Sequence, residues 1–301
     1  MMKSIQFGRR STADQVLAGI DLTGKHLLVT GCNSGLGYET LNAFAANGAA
    51  VIGLARTLEA ASQACAQASP ACIPVACDLS NFDSIAAALD TIRGLSIPLD
   101  AIVANAAVAN LPSLETRYGI ERQFLTNHLG HFMLVNGLAD LLRDATARIV
   151  MVSSGVSVSQ APDEGVMFDN LDGHQFYDPS KFYAQSKLAN ALYAKELSRR
   201  LAPRGIAANS VDPGAARTRI RKGFLERLFA KTPAQAAATQ ALLAASPQVS
   251  GISGEYWSNC RVSQGNALLQ DIVLARRLWD ASQDILERQR RTGSAALQRA
   301  A

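Results

Sequence analysis

From residue 24 onward, short apolar runs alternate with longer segments of helical character, and that alternation limits the folds open to the chain. HLLVT at 26–30, AAVIGLA at 49–55, IPVAC at 73–77, LDAIVAN at 99–105, ARIVMVSS at 147–154 and GIAANSVD at 205–212 read as strands. Between them lie YETLNAFAANG ending at Gly48, TLEAASQACAQA, SIAAALDTIRG, a long helical segment from about 119 to 143, and a helix over 180–202. The strand runs are continuously apolar, so both sheet faces are buried. Strands of that kind alternating with helices predict a doubly wound parallel sheet with helices on both faces. Its crossovers should be right-handed. The rhythm runs to about residue 260 without a linker, which predicts a single domain over 1–301. Residues 1–23 read as an N-terminal extension with a flanking helix, and 268–301 as a C-terminal helix and tail. In that last helix Ile272, Leu274, Leu278, Trp279 and Ile285 fall near helical spacing, as a docking stripe does. The tail ERQRRTGSAALQRAA is polar and reads as frayed and solvated.

Composition narrows the function classes. The chain has 301 residues, 48% hydrophobic and 18% charged, with a formal net charge of +4. That charge is too mild to argue for a nucleic-acid partner. The N-terminus lacks the apolar core of a secretory signal, and no apolar run approaches the ~18 residues of a membrane span. The expected location is cytoplasmic. Cys32, Cys65, Cys72, Cys77 and Cys260 form no CxxC and are odd in number, which argues against a disulfide framework or a zinc cage. His128 and His131 form an HxxH without an acidic or cysteine partner nearby in sequence. They read as two helix-packed histidines rather than a metal site.

The first strand runs into TGCNSGLG, with Gly31, Gly35 and Gly37. In a strand–turn–helix context such glycines bind phosphate. Gly31 allows the tight exit from the strand, Gly35 lets the backbone approach a pyrophosphate, and Gly37 permits close helix packing. The helix N-terminus offers unpaired N–H groups and partial positive charge. The spacing is GxxxGxG rather than GxGxxG. An acidic residue after the second strand would favour NAD, whereas an arginine suits the 2′-phosphate of NADP. Arg56 is the first polar side chain after that strand, and no Asp or Glu occupies 53–57. A guanidinium matches a phosphate in geometry and charge, so NADP(H) is expected over NAD(H).

Tyr183 and Lys187 sit four apart in FYAQSKLANA, on one face of a helix. Hydride transfer to a carbonyl produces an alkoxide that needs a proton, and a tyrosine supplies it if its pKa approaches the working pH. Bringing a phenol from about 10 to about 7 takes roughly 4 kcal/mol, at ~1.36 kcal/mol per unit. A cation at ~4 Å supplies about that amount at an effective dielectric near 20. Tyr177 with Lys181 has the same spacing and is a rival pair.

TGCNSGLG at 30–37, CDLS at 77–80, NAA at 105–107, TNHLGHF at 126–132, VSS at 152–154, YAQSK at 183–187 and DPGAART at 212–218 occur in this order. Together they resemble the short-chain dehydrogenase/reductase family over about residues 24–260. The resemblance implies a Rossmann fold with Tyr183 as general acid/base and Lys187 lowering its pKa and holding the nicotinamide ribose. Ser154 would hold the substrate oxygen, with Ser153 the competing serine, and Asn127 would complete the set by positioning a water near Lys187. The cofactor would be bound by Gly31, Asn33, Ser34, Gly35, Leu36, Gly37 and Arg56, by Asp78 and Leu79 at the adenine, and by Asn105, Ala106 and Ala107 near its ribose. Tyr183, Lys187, Pro213, Gly214 and Thr218 would lie near the nicotinamide and its ribose. A homo-oligomer through the 180–202 helix would fit the family.

There are departures. Cys32 occupies a turn position that is often small or polar in the family, NAA replaces NAG, and the Ser154–Tyr183 gap is longer than usual. The inserted stretch resembles the branch of retinol dehydrogenases and related NADP-dependent reductases. RIRKGFLERLFAKTP, after Thr218, should cover the substrate; Phe224, Leu225, Leu228 and Phe229 would line an apolar pocket or pack on the core. The expected activity is oxidoreduction of a hydrophobic alcohol, aldehyde or ketone. A non-catalytic dinucleotide sensor on the same fold is the alternative.

Overall fold

The structure is a computed structural model that describes residues 5–215 and 230–300. The six apolar runs become β1 (His26–Thr30), β2 (Ala50–Ala55), β3 (Ile73–Ala76), β4 (Ala101–Ala104), β7 (Arg148–Val152) and β8 (Ala207–Asp212). Two further short strands, β9 (Tyr256–Ser258) and β10 (Arg261–Val262), extend the sheet to the order β10-β9-β8-β7-β4-β1-β2-β3. Every pairing is parallel except β10 on β9.

The strands alternate faces as the pleat requires. Leu28, Ile52, Ile102 and Ile149 enter one core; Val29, Val51, Val103 and Val150 enter the other. The first core is closed by α4 (Phe82–Gly94), α6 (Gly130–Leu138), α8 (Pro179–Leu201) and α10 (Ile272–Ala300). The second is closed by α1 (Ala13–Leu17), α2 (Gly35–Ala46), α3 (Leu58–Ala68) and α9 (Pro233–Ala245). Several helix starts carry conventional caps. Thr57 accepts from the Ala60 amide, Asp178 accepts from Lys181 ahead of α8, and Thr232 with Gln235 forms a capping box on α9.

The predicted long helix over 119–143 is broken. A hairpin, β5 (Thr116–Arg117) and β6 (Ile120–Glu121), precedes α5 (Arg122–Phe124), a π-helical turn (Leu125–Leu129) and α6. Tyr118 and Gly119, both at left-handed φ, make the hairpin turn. The π-turn adds one residue without disturbing the apolar spacing on either side, so periodicity does not reveal it. Among its described residues the N-terminal extension holds only the five-residue α1 as helix, followed by Gly19 at φ 76°. In α10 the stripe is Leu274, Leu278 and Ile285, while Ile272 is exposed. Trp279 packs with its ring centroid 5.0 Å from that of Phe132 and 5.7 Å from that of Tyr193, and the Arg200 guanidinium lies over the Trp279 ring at 4.0 Å. The chain's own C-terminal helix therefore covers one face of α8, the helix that the family resemblance would pack on a symmetry mate. Among the described residues no helix is long and apolar enough to cross a membrane.

Gly37 marks the tightest helix–strand approach. A Cβ there would run into the Gly31 carbonyl and lie 2.6 Å from Asn105 Nδ2. The neighbours are backbone and a hydrogen-bonded amide, so they do not yield easily. Gly37→Ala is expected to cost about 1–3 kcal/mol, as overpacking does. Thermal melts of the variant check this, and an unchanged melting temperature contradicts it.

Candidate active site

Parallel strands put their carboxyl ends on one edge, and a crevice opens where the strand order reverses, between β1–β2 on one side and β4 on the other. A cleft of about 1410 Å³ runs along that edge. Asn33, Ser34, Gly35, Leu36, Arg56, Asp78, Leu79, Asn105, Ala106 and Ala107 line one part of it. Ser153, Ser154, Tyr183, Lys187, Pro213 and Gly214 line the rest.

In the first part Gly31 leaves β1 at φ 69°, a conformation a side chain resists. Ser34 is the N-cap of α2 but makes no side-chain cap bond, so the first-turn amides of that helix are left for another acceptor. Gly37 does not line the cleft; it seats α2 against the turn. Arg56 follows β2 directly and is exposed. Asp78 accepts from the Ser80 amide at 3.0 Å and hydroxyl at 2.8 Å, which holds the loop after β3. Asn105 Nδ2 donates to the Thr30 carbonyl at 2.9 Å, and the amides of Asn105 and Ala106 both donate to Thr30 Oγ1 at 2.9 Å. An extended trough with uncapped helix amides, glycines at the close approach and a guanidinium at one end fits a dinucleotide in size and chemistry.

At the other part α8 carries Tyr183 and Lys187 one turn apart. Lys187 Nζ lies 5.9 Å from the Tyr183 ring centroid. Lys187 is 2% exposed, and its ammonium donates to the Val152 carbonyl at 3.0 Å, an oxygen that also accepts from Asn190 Nδ2 at 3.1 Å. Burial pushes Lys187 down to about 7. The two adjacent serines after β7 differ. Ser153 is buried and its hydroxyl donates to the Lys187 carbonyl at 2.7 Å, so it ties β7 to α8. Ser154 is only half-buried at the cleft wall, and its carbonyl is held by the hydroxyls of Ser157 at 2.6 Å and Tyr256 at 3.2 Å.

Asn127 lies in the π-turn, fully buried and off the cleft surface. Its Oδ1 accepts from the Val108 amide, and its Nδ2 donates to the Val108 carbonyl and to Ser186 Oγ, each at 2.9 Å. Tyr177, the rival phenol, is outside the cleft lining. Its hydroxyl donates to the Leu111 carbonyl at 2.7 Å, and burial pushes it up to about 12. The would-be partner Lys181 sits over the Phe176 ring instead. Pro213 and Gly214 are held by Lys231 Nζ on the Pro213 carbonyl at 2.9 Å and by Asp212 on the Gly214 amide at 2.9 Å. Thr218 and residues 219–229 of the expected substrate cover lie outside the described residues.

Residues 25–166 match the family model described as short chain dehydrogenase. The WW domain-containing oxidoreductase of Homo sapiens is 37% identical over 94% of this chain and 73% of its own length. The chain belongs to the short-chain dehydrogenase/reductase family. Retinol dehydrogenase 14 of Homo sapiens is 35% identical over 86% of this chain and 85% of its own. The chloroplastic short-chain dehydrogenase TIC 32 B of Brassica napus is 35% identical over 92% and 93%. A crystal structure from Mycobacterium paratuberculosis superposes with a TM-score of 0.75 at 28% identity, over 92% of this chain and 97% of that one. The family consists of oxidoreductases that bind nicotinamide dinucleotides.

Sequence reasoning missed Thr30, Val108, Ser157, Lys231 and Tyr256 as supports of the site. Thr30 carries a signal in retrospect: it is the polar end of the apolar run HLLVT, a position that needs a partner once buried. The others sit in stretches with no feature that separates them from packing residues.

A lysine whose folded pKa lies below its unfolded value binds fewer protons folded than unfolded between the two, so its contribution to stability rises with pH there. For Lys187 that window runs from about 7 to the unfolded lysine value of about 10.4. Melting temperatures of the cofactor-free wild type and Lys187→Met should keep a constant difference below pH 7. Above it the difference should move steadily in favour of wild type, and a pH-independent difference contradicts the burial of this charge.

Proposed function

We propose that the protein is an NADP(H)-dependent oxidoreductase that interconverts a C–OH and a C=O group of a hydrophobic alcohol, aldehyde or ketone. The observation that carries this reading is the pairing of Tyr183 with the buried Lys187 ammonium at one end of a cleft whose other end is built for a dinucleotide. The dinucleotide supplies or accepts the hydride. Tyr183 gives a proton to the substrate oxygen in reduction and takes it back in oxidation. Lys187 favours the phenolate through its charge and, by its place in the cleft, reaches toward the nicotinamide ribose. Ser154 donates a hydrogen bond to the substrate oxygen. Its neighbour Ser153 has its hydroxyl committed to the Lys187 carbonyl, which supports Ser154 in that role. Asn127 braces the 105–108 loop.

Arg56, exposed at the end of β2 with Asn33 on the same wall, supports a 2′-phosphate and hence NADP(H). The resemblance to retinol dehydrogenase 14 in sequence supports an apolar alcohol or carbonyl substrate. The reading takes the chain as one cytoplasmic domain. It includes a homo-oligomer, built on a surface other than the α8 face that α10 covers. A sensor that binds the dinucleotide without turnover is the second reading; the intact Ser154, Tyr183 and Lys187 set in the cleft favours the enzyme.

Thermal stabilisation by NADPH and NADH tests the cofactor. A ligand at a hundredfold excess over its Kd adds about 2.7 kcal/mol. NADPH should raise the melting temperature more than NADH, and Arg56→Ala should erase the difference; a larger shift with NADH overturns the assignment. Tyr183→Phe tests the chemistry. Turnover measured at the reduced-nicotinamide absorbance should fall by about 10²–10⁴-fold, with NADPH affinity within about threefold of wild type. Turnover retained in this variant removes Tyr183 from its role.

A further inference from the structure

His131 was expected to be a packing histidine, and its HxxH partner His128 is one. His128 sits among the rings of Phe124, Phe132 and Tyr193 with its Nε2 on Ser282 Oγ at 2.9 Å. His131 is different. It is fully buried, and both ring nitrogens are engaged. Nδ1 lies 2.8 Å from the Asn127 carbonyl oxygen and Nε2 lies 2.8 Å from Thr30 Oγ1.

The donors and acceptors leave one protonation pattern. A carbonyl oxygen only accepts, so His131 Nδ1 carries the hydrogen. Thr30 Oγ1 already accepts from the amides of Asn105 and Ala106, so its own hydrogen goes to Nε2. The imidazole is neutral; burial pushes His131 down to about 4, and the nearby charge of Lys187 acts the same way.

These bonds close a ring. Thr30, at the end of β1, holds Asn105 and Ala106. The Asn127 side chain holds Val108 at both its amide and its carbonyl. Residues 105–108 line the cleft and are gripped at their two ends by residues from different elements. His131 joins those two grips through Thr30 Oγ1 and the Asn127 carbonyl. We propose that His131 is a positioning residue that closes a hydrogen-bonded ring around the 105–108 loop, locking the dinucleotide turn and the π-turn of Asn127 in one register. The role deepens the oxidoreductase reading and rests on it for its catalytic consequence, but the ring itself does not need turnover to be seen.

The experiment uses the full chain. A ¹⁵N spectrum of the histidines, without cofactor, should give His131 as the Nδ1–H tautomer, with no titration between pH 5.5 and 8. An Nε2–H tautomer, or protonation in that range, overturns the ring. NADPH is then titrated calorimetrically into wild type, His131→Phe, Thr30→Val and the double variant. Leaving buried partners unmatched should raise Kd about tenfold in each single variant. The double variant should be no worse than the weaker-binding single one, because both cut the same ring. A Kd unchanged in His131→Phe, or effects that simply add, overturns the proposal. Protein that is irreversibly misfolded lowers the titration stoichiometry without moving Kd, and melting curves fix a titration temperature at which every variant is almost wholly folded, so that the folding equilibrium itself leaves Kd unmoved. If His131→Phe does not fold, the tautomer measured in wild type still decides. A wild type that binds NADPH but turns over no carbonyl or alcohol defeats the enzymatic reading, while the pattern of Kd values still judges His131.

Discussion

Everything in the cleft depends on the parallel direction of the strands from β3 across to β9. Parallel pairing sends every crossover helix back along a face of the sheet, and it leaves the carboxyl ends of the strands on one edge. The residues that follow those ends therefore collect along a single line: the glycine turn after β1, Arg56 after β2, Asp78 after β3, Asn105 after β4, Ser154 after β7 and Pro213 after β8. No two of these are neighbours in sequence. The sheet gathers them, and it does so with backbone hydrogen bonds that carry no information about the chemistry.

The side chains proposed to act are held by the groups packed around them. Lys187 is kept in place by the Val152 carbonyl at the end of β7, so the last peptide of a central strand sets where the ammonium lies. The Ser157 hydroxyl holds the Ser154 carbonyl, and the Ser153 hydroxyl ties the end of β7 to the Lys187 carbonyl on α8. A site with this many fixed dipoles around a buried cation is preorganised, which is the condition under which electrostatics help a reaction most. The cost is a set of buried polar groups that must all be matched, and most are matched by backbone atoms of neighbouring elements.

The long insert before α8 has its own structural work. Met167 donates its amide to Gln185 Oε1 on α8, and Arg277 of α10 stacks over Phe168 at 4.1 Å. It thus bridges the active-site helix to the C-terminal helix. Because α10 also covers α6 and α8 through Trp279, one contiguous apolar layer runs from the sheet to the C-terminal helix. In this chain that layer is completed within the protomer.

Much of this was legible in the sequence. Period and polarity gave six of the strands and their parallel direction, because a buried strand must be apolar throughout. The glycine turn and the Tyr183–Lys187 spacing could be read locally, because a tight turn needs glycine and a helix puts residues four apart on one face. What could not be read was anything that depends on two distant segments meeting. The π-turn at Asn127 is invisible to periodicity, since its extra residue is absorbed without a break in the apolar pattern. Which of Ser153 and Ser154 has its hydroxyl committed depends on the Lys187 carbonyl 34 positions away. His128 and His131 look alike in HxxH, and only the fold sets one against aromatic rings and the other between Thr30 and Asn127. The sequence by itself determined the layers and the local motifs, because those follow from nearest-neighbour geometry. The tertiary structure alone decided which polar groups are satisfied by which partners, because hydrogen bonds between elements depend on positions that no local pattern encodes.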